Sequence, residues 1–548
     1  MSEMKSKASI LALAFALLVA CGQRDPVEPS SPTSNSAGQL AAAAPAPLVA
    51  YYAAARFLEQ ASFGPTATEI ERVRAIGFEA WIDEQLRLPP TLLDGSSMRD
   101  YDELASPGER QFAYWRFLDQ WFAGALTGPD QLRQRLSWSL SQFVVVSLVN
   151  SQPFGVLEYH NLLQRLGLGR YRELLHAVSI NGAMGGFLDN VSNRSPKACT
   201  GCAVNENYAR ELMQLFSIGL VELELDGRPR RDARGRVIES YTQEDVVDMA
   251  RALTGWEWDH GPTREVFVHL GQPLVARSPQ LHDSDAKTVL GVSFPAGQTA
   301  QQDMDRAMDL LAAHSNTAPF VSLRMIQHLV TSNPSPAYVG RVARVFRDNG
   351  RGVSGDMAAV VKAILLDPDA RRGDTPGVDL PTFGKIREPA LFYTALLRGL
   401  GCRKLPRRPE TGQPLLFQQD PYAAPSVFGF YAPTDAAPSS NLLAPEHGLL
   451  LGLQLRSRMS SLAHVEMNWA PALDIAGCRF GSFVDAATRS MRDFNTLMGL
   501  TWFRGSLPPT LARDAEAHWA LTDGSATRRR VAFTLQYMLS SPYFGAMP

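Results

Sequence analysis

Asn205-Glu206-Asn207-Tyr208-Ala209-Arg210-Glu211-Leu212-Met213-Gln214-Leu215-Phe216, closing at Gly219, is the stretch from which the rest of the chain is read. Tyr208, Leu212, Leu215 and Phe216 recur at i, i+4, i+7 and i+8, the spacing of a helix stripe packed on a core. The other face is polar. Glu206 stands four residues before Arg210 and Asn207 four before Glu211, so a carboxylate, a guanidinium and an amide meet along about two turns. Gly219 fits the left-handed position that ends a helix. A second segment, from Tyr241 to Trp256, answers the first. Thr242 followed by Asp245 makes a capping box with Asp in place of Glu, and Val246, Ala250 and Leu253 face inward before Gly255. Glu206, Arg210 and Glu211 become candidate catalytic groups, with Asn205 and Tyr208 as candidate binding residues beside them.

Working outward, most of the chain carries helical spacing. Thr66 caps a helix running to residue 74, Gly77 breaks it, and 78–86 continues with Trp81 inward. Helical periodicity also covers 111–122, 131–149 and 157–178 and, in the second half, 319–331 behind Asn316, 337–347, 356–366 and 528–539. Val221-Glu222-Leu223-Glu224-Leu225 alternates strictly and, with Asp226-Gly227 and Val237-Ile238, predicts a small hairpin. Arg228, Arg230, Arg231, Arg234 and Arg236 cluster at its tip, either as a solvated turn or as a contact for anionic lipid headgroups. Short strands are expected around 266–268 and 288–289. The fold class is therefore mainly α: a large multi-helix globular domain with a small β-hairpin insertion and short strands.

The first residues read as an address. Lys5 and Lys7 precede an apolar run over 10–20, too short for a membrane span and suited to a signal peptide. Leu18-Val19-Ala20-Cys21 resembles a lipobox, which implies lipidation of Cys21 and a membrane anchor. Gly22, where Asp would signal retention, favours the outer membrane by the same resemblance. Residues 22–49 are rich in Pro, Ser and Ala without periodicity, a flexible tether. The organisation read is 1–21 leader, 22–49 tether and 50–548 helical domain. Net charge of −2, from 53 basic and 55 acidic side chains, leaves no footprint for nucleic acid. Four cysteines remain beside Cys21. In an oxidising envelope, Cys199, Cys202, Cys402 and Cys478 read first as disulfides, with Cys199 and Cys202 as a loop staple.

Two further places carry chemistry-bearing side chains. Leu281-His282-Asp283-Ser284-Asp285-Ala286-Lys287 offers His282 and Asp283 as catalytic candidates and Lys287 as a binding group, able to position a proton or hold an anion or metal. Residues 412–445 form a long Pro- and aromatic-rich stretch in which Gln418, Gln419, Asp420, Tyr422, Phe428, Phe430 and Tyr431 lie close together. Such a loop often forms a binding wall, with Tyr422, Phe428 and Tyr431 as candidates for stacking on sugar rings. His160 and His176 read as satisfied helix residues. The chain lacks a G-x-S-x-G elbow, H-E-x-x-H, a Walker loop and a complete dinucleotide fingerprint, so it names no cofactor and no metal.

The paired segments NENYARELMQLFSIG and YTQEDVVDMARALTGW resemble the hallmark of the bacterial family called DUF1800, a domain of unknown function. ARFLEQASFGPTATEIERVRAIGFEAWIDEQL, GAMGGFLDN, LHDSDAKTVLG, APSVFGF and YMLSSPYF follow the same family order, from about residue 50 to the end. Members often carry a His-rich FWHNHF-like segment where this chain reads LSWSLSQFVVV, residues 136–146, so roles resting on histidines there do not transfer. The resemblance names no reaction. Two readings remain: a binding or assembly component of the cell envelope with a polysaccharide or protein partner, and an extracytoplasmic enzyme using Glu206, Arg210, Glu211, His282 and Asp283 on an envelope or extracellular polymer. A carboxylate held beside Arg suits an ion pair better than a general acid.

Overall fold

The helix Tyr51–Ala61 shows how this chain builds its interior. Nearly all of it is buried, and its polar side chains are matched rather than exposed. Arg56 donates to Asp374 at 2.7 Å, and Glu59 is clasped by Arg387 at 2.7 Å and Arg504 at 2.8 Å. Buried charge of this kind persists only when paired, and here the pairing joins the beginning of the domain to segments over 300 residues away. The computed structural model describes residues 49–96, 107–149, 151–259, 271–378, 380–407, 419–450, 476–522 and 524–548. Cys21, the leader and most of the tether, the 266–268 strand and Gln418 lie outside the described residues. Leu48–Pro548 holds together as one unit around a continuous apolar core.

Helices dominate, and the local signals set most of their ends. Ala67–Ile76 starts in a full capping box between Thr66 and Glu69, and Gln243–Ala252 in the expected one between Thr242 and Asp245. Asp356 caps Met357–Leu366 through the Ala359 amide. Among the described residues, three two-stranded antiparallel pairs decorate the helices: Trp256–Glu257 with Val275–Ala276, Lys287–Val289 with Val292–Phe294, and Lys385–Ile386 with Ala546–Met547. The expected hairpin insertion after the first hallmark helix is present and reverses twice, with Val221 pairing to Glu239, Leu223 to Pro229 and Arg231 to Val237.

Three expectations change. The helix predicted over 131–149 ends at Ser141, because the β-branched run Val144-Val145-Val146 leaves helical geometry and enters the core as extended chain. There Ser147 Oγ donates to the Ala424 carbonyl and the Leu148 amide to that of Tyr422. The 157–178 helix is two, Pro153–Leu166 and Tyr171–Ser179, broken at Gly167 and Gly169. Asn316 does not cap the helix Thr317–Leu329 with its side chain. Its amide instead donates to the Ile218 and Val221 carbonyls and Ser240 Oγ and accepts from the Leu223 amide, fastening the insertion to that helix.

The four cysteines form Cys199–Cys202 and Cys402–Cys478, with Cα atoms 5.4 and 4.0 Å apart. No helix among the described residues is long and apolar enough to cross a membrane.

Candidate functional site

The hallmark helix, Asn207–Gln214, turns its charges onto its partner helix. Glu206 and Arg210 meet at 2.8 Å, and Gln243 bridges them, donating to Glu206 at 2.8 Å and accepting from Arg210 at 3.1 Å. Both charges are partly exposed, so this is a surface clasp. Asn205 closes a turn, its side chain accepting from the Asn207 amide and its backbone held on both sides by Asn193. Tyr208 is a core residue whose hydroxyl donates to Ser179 Oγ at 2.6 Å, out of a ligand's reach. Glu211 is nearly buried with Oε2 unpartnered, and burial pushes its carboxyl up against the pull of Arg210.

The second group lies at the far end of the Gln243–Ala252 helix and is closed upon itself. His282 bonds through Nε2 to Asp303 at 3.1 Å and through Nδ1 to the Thr254 carbonyl at 3.0 Å. Lys287 Nζ donates to the same Asp303 oxygen at 2.6 Å and to the Asp285 carbonyl at 2.9 Å. Asp283 takes two 3.1 Å bonds from Arg251; burial alone raises its carboxyl, but these bonds hold it below the usual range. Gln243 and Arg251 are eight residues apart, about 12 Å along a helix. His282, Asp283 and Lys287 therefore do not join Glu206 and Arg210 in one constellation. Among the described residues no group of three or more His, Cys, Asp or Glu is arranged to hold a metal ion.

What the hallmark does line is a pocket of about 380 Å³ at its other end. Gln214, Leu215 and Gly219 to Val221 form one wall, Phe320, Leu323, Arg324 and His328 a second, Gln142 and Phe143 the floor, and 427–434 the third side. Gly219 has φ +74°, and a Cβ there would stand 2.8 Å from the Phe320 ring, so glycine sets both the turn and the closeness of the two walls. Gly429, at φ +83°, lets the Ser426–Gly429 turn rest on the Gln142 carbonyl, where a Cβ would meet it at 2.9 Å. Leu220 and Phe428 remain 57% and 47% exposed at the rim, apolar side chains left in water at the entrance.

The lining is mostly apolar, with a few polar groups converging on it, the composition of a small-molecule site. Gln142 Oε1 is buried without a partner. Neither ring nitrogen of His328 has a hydrogen-bond partner among the described residues, although its carbonyl accepts from Arg135 at 2.6 Å and Lys385 at 3.1 Å. Burial, together with Lys385, Arg135 and Arg324, holds the His328 imidazole far below its ordinary pKa, so it is neutral. Tyr431 donates to Glu388 at 3.0 Å, and Glu388 also accepts from Trp138 and Gln419, each at 2.8 Å. Lys385 pairs with Glu446 at 2.9 Å. Sequence reading missed this buried layer. Its signal was the alternation Lys385-Ile386-Arg387-Glu388, which carries charge on both faces of a strand.

Of the predicted aromatic wall, Phe428 and Tyr431 reach the pocket, whereas Tyr422 is buried elsewhere with its hydroxyl 3.0 Å from His160 Nδ1. A larger cavity of about 730 Å³ near Tyr114 and Trp258 is bordered at Val149 and Ser151 by chain outside the described residues. A groove along the arginine-rich insertion is neutralised in part: Arg228 pairs with Asp226, Arg230 with Glu222 and Arg236 with Asp232, all within 2.8 Å, whereas among the described residues Arg231 donates only to the Gly235 carbonyl.

Fold and site define a mainly helical, disulfide-bridged domain in which an ion pair on the first hallmark helix is bridged by Gln243 of the second and the C-terminal turn of the first helps line an apolar pocket. The chain belongs to the family described as Protein of unknown function (DUF1800), which matches residues 56–546. No curated protein and no solved structure matches it.

Proposed function

We propose that this protein is a lipid-anchored binding component of the cell envelope that holds a small, largely apolar ligand in the pocket between Gly219, Phe320 and Phe428. The observation that carries the reading is the pairing of exposed apolar rim residues with unpartnered polar groups inside the same pocket. Sugars need hydrogen bonds around the ring edge, and this lining offers few, so a lipid-like ligand suits it better than a polysaccharide. The anchor at Cys21, on the outer membrane, would keep the pocket within the length of the tether from a source of such molecules.

The test is to purify the anchored protein from its own envelope and identify co-purifying small molecules by mass spectrometry, alongside Leu323→Trp, which fills the pocket. A stoichiometric molecule on the parent and none on the variant supports the reading. Equal recovery from both, or none from either with no protection by added lipids, refutes it. Cys21→Ala should move the protein from the membrane to the soluble fraction; retention in the membrane would overturn the anchor. The alternative, an enzyme acting on an envelope or extracellular polymer, is favoured by one observation, the raised and unpartnered carboxyl of Glu211. Turnover abolished by Glu211→Gln in a stably folded protein would decide for it.

A further inference from the structure

The charge in and beneath the pocket is unbalanced. Arg324 projects from the Thr317–Leu329 helix, which contains no acidic residue. Its guanidinium lies against the Phe320 ring at 5.2 Å and donates to Gln327 Oε1 at 2.9 Å, and no carboxylate among the described residues comes within ion-pair distance. The buried cations beneath it differ: Lys385 has Glu446, and Arg387 has Glu59. Arg135, fully buried, is held by Ser139 Oγ and the His328 carbonyl and feels Glu388 and Glu446 only at longer range. Three cations, Arg135, Arg324 and Lys385, thus stand against two carboxylates, Glu388 and Glu446.

Arg324 is half-buried among apolar side chains and has no counter-charge, and an anion entering beside it gains charge-assisted hydrogen bonds there. Guanidinium is also the side chain best shaped for a carboxylate or phosphate, through two parallel N–H donors. His328 adds one ring N–H donor for such a head, while the unpartnered Gln142 oxygen, an acceptor, suits a ligand proton and not the anion. The remaining walls, from Phe143, Leu215, Phe320, Leu323, Val427 and Phe428, accept only hydrocarbon. One polar end and one apolar end describe an amphiphile.

We propose that the pocket binds a single-chain amphiphile with an anionic head, of which a fatty carboxylate is the simplest, its head on Arg324 and its tail between Phe143, Phe320 and Phe428. The proposal rests on the pocket reading above and specifies its ligand.

The experiment measures binding of dodecanoate, dodecanol and dodecylamine to the purified full chain by calorimetry, for the parent, Arg324→Met and Leu323→Trp. Arg324→Met keeps the side chain's bulk and breaks no ion pair, and melting curves confirm that each variant is folded. Dodecanoate should bind the parent roughly ten-fold or more tighter than dodecanol, the worth of a charged hydrogen bond. Arg324→Met should erase that preference while leaving dodecanol binding intact, and Leu323→Trp should abolish both. Equal affinity for carboxylate and alcohol, or preference for the amine, overturns the anionic head but leaves the pocket standing. Failure of all three probes to bind the parent overturns the pocket reading as well.

Discussion

Asp303→Asn isolates what the His282-to-Lys287 loop is for. The Asp303 carboxylate and the Lys287 ammonium are both wholly buried and 2.6 Å apart, and the other strong contact of the carboxylate is His282. Asn keeps the shape and an acceptor oxygen but removes the charge, leaving the Lys287 ammonium without its ion-pair partner. Stranding one member of a buried pair costs about 3–5 kcal/mol. For a unit of about 500 residues, the unfolding entropy is on the order of 1 kcal/mol per degree, so the melting temperature should fall by about 3–5 °C. Scanning calorimetry and urea midpoints would measure this. Replacing both partners, Asp303→Leu with Lys287→Met, should recover most of the loss, because no charge is then left unmatched. A single variant that melts within about a degree of the parent would refute the reasoning, and a stable variant that loses ligand would return the loop to the binding site.

Glu206→Gln or Arg210→Met should cost under about 1 kcal/mol, since the pair is partly exposed; a larger loss in urea titrations would show a buried role. His160, whose pKa burial lowers to about 3, is neutral when folded and takes up a proton when unfolded. Its contribution is intact above pH 6.5 and lost as pH falls below it, at about 1.4 kcal/mol per unit towards pH 3, and His160→Gln should flatten that slope in acid unfolding curves. Reducing Cys402–Cys478, 76 residues apart, should cost about 4–5 kcal/mol by loop entropy, against about 2 for Cys199–Cys202, three apart; Cys→Ser pairs measured by calorimetry would rank them. Gly219→Ala should cost about 1–3 kcal/mol through its positive φ and the Phe320 ring, and should weaken dodecanoate binding.

Helices were legible because each carries its own periodicity and many carry their own caps. Thr66 with Glu69 and Thr242 with Asp245 needed no tertiary information. The 131–149 segment was not legible in this way: Val144 to Val146 suit a buried helix or a buried strand equally, and only the carbonyls of Tyr422 and Ala424 decide for extended chain. Asn316 illustrates a second limit, since a residue with strong capping propensity turned its side chain to partners nearly 100 residues earlier. The pocket was half legible. Phe428 and Tyr431 stood out in an irregular loop, but Leu215, Phe320 and Leu323 look like any core stripe. A signal was present in the Thr317–Leu329 helix, where Phe320, Arg324 and His328 recur at i, i+4 and i+8 without an acid among them.

The hallmark attracts attention to its charges, yet the geometry assigns its two faces different work. Glu206 and Arg210 fix the first helix to Gln243 of the second, and Arg251 at the far end fixes the second to Asp283. These clasps hold the helix Asn207–Gln214 at both its own start and its partner's end. A helix so held delivers its C-terminal turn, with Gly219 and the apolar residues around it, to a constant place against Phe320. Polar residues at the hallmark therefore matter to the pocket through position and not through contact. The same logic applies beneath it, where Trp138, Gln419 and Tyr431 all converge on Glu388 and tie the floor to the loop that carries Phe428. Replacing Glu388 by Gln would leave those donors in place but remove the charge opposing Arg135, so the positive excess in the site would rise. If the anionic-head assignment is right, Glu388→Gln should bind dodecanoate more tightly relative to dodecanol than the parent does, the opposite of what simple loosening of the loop would produce.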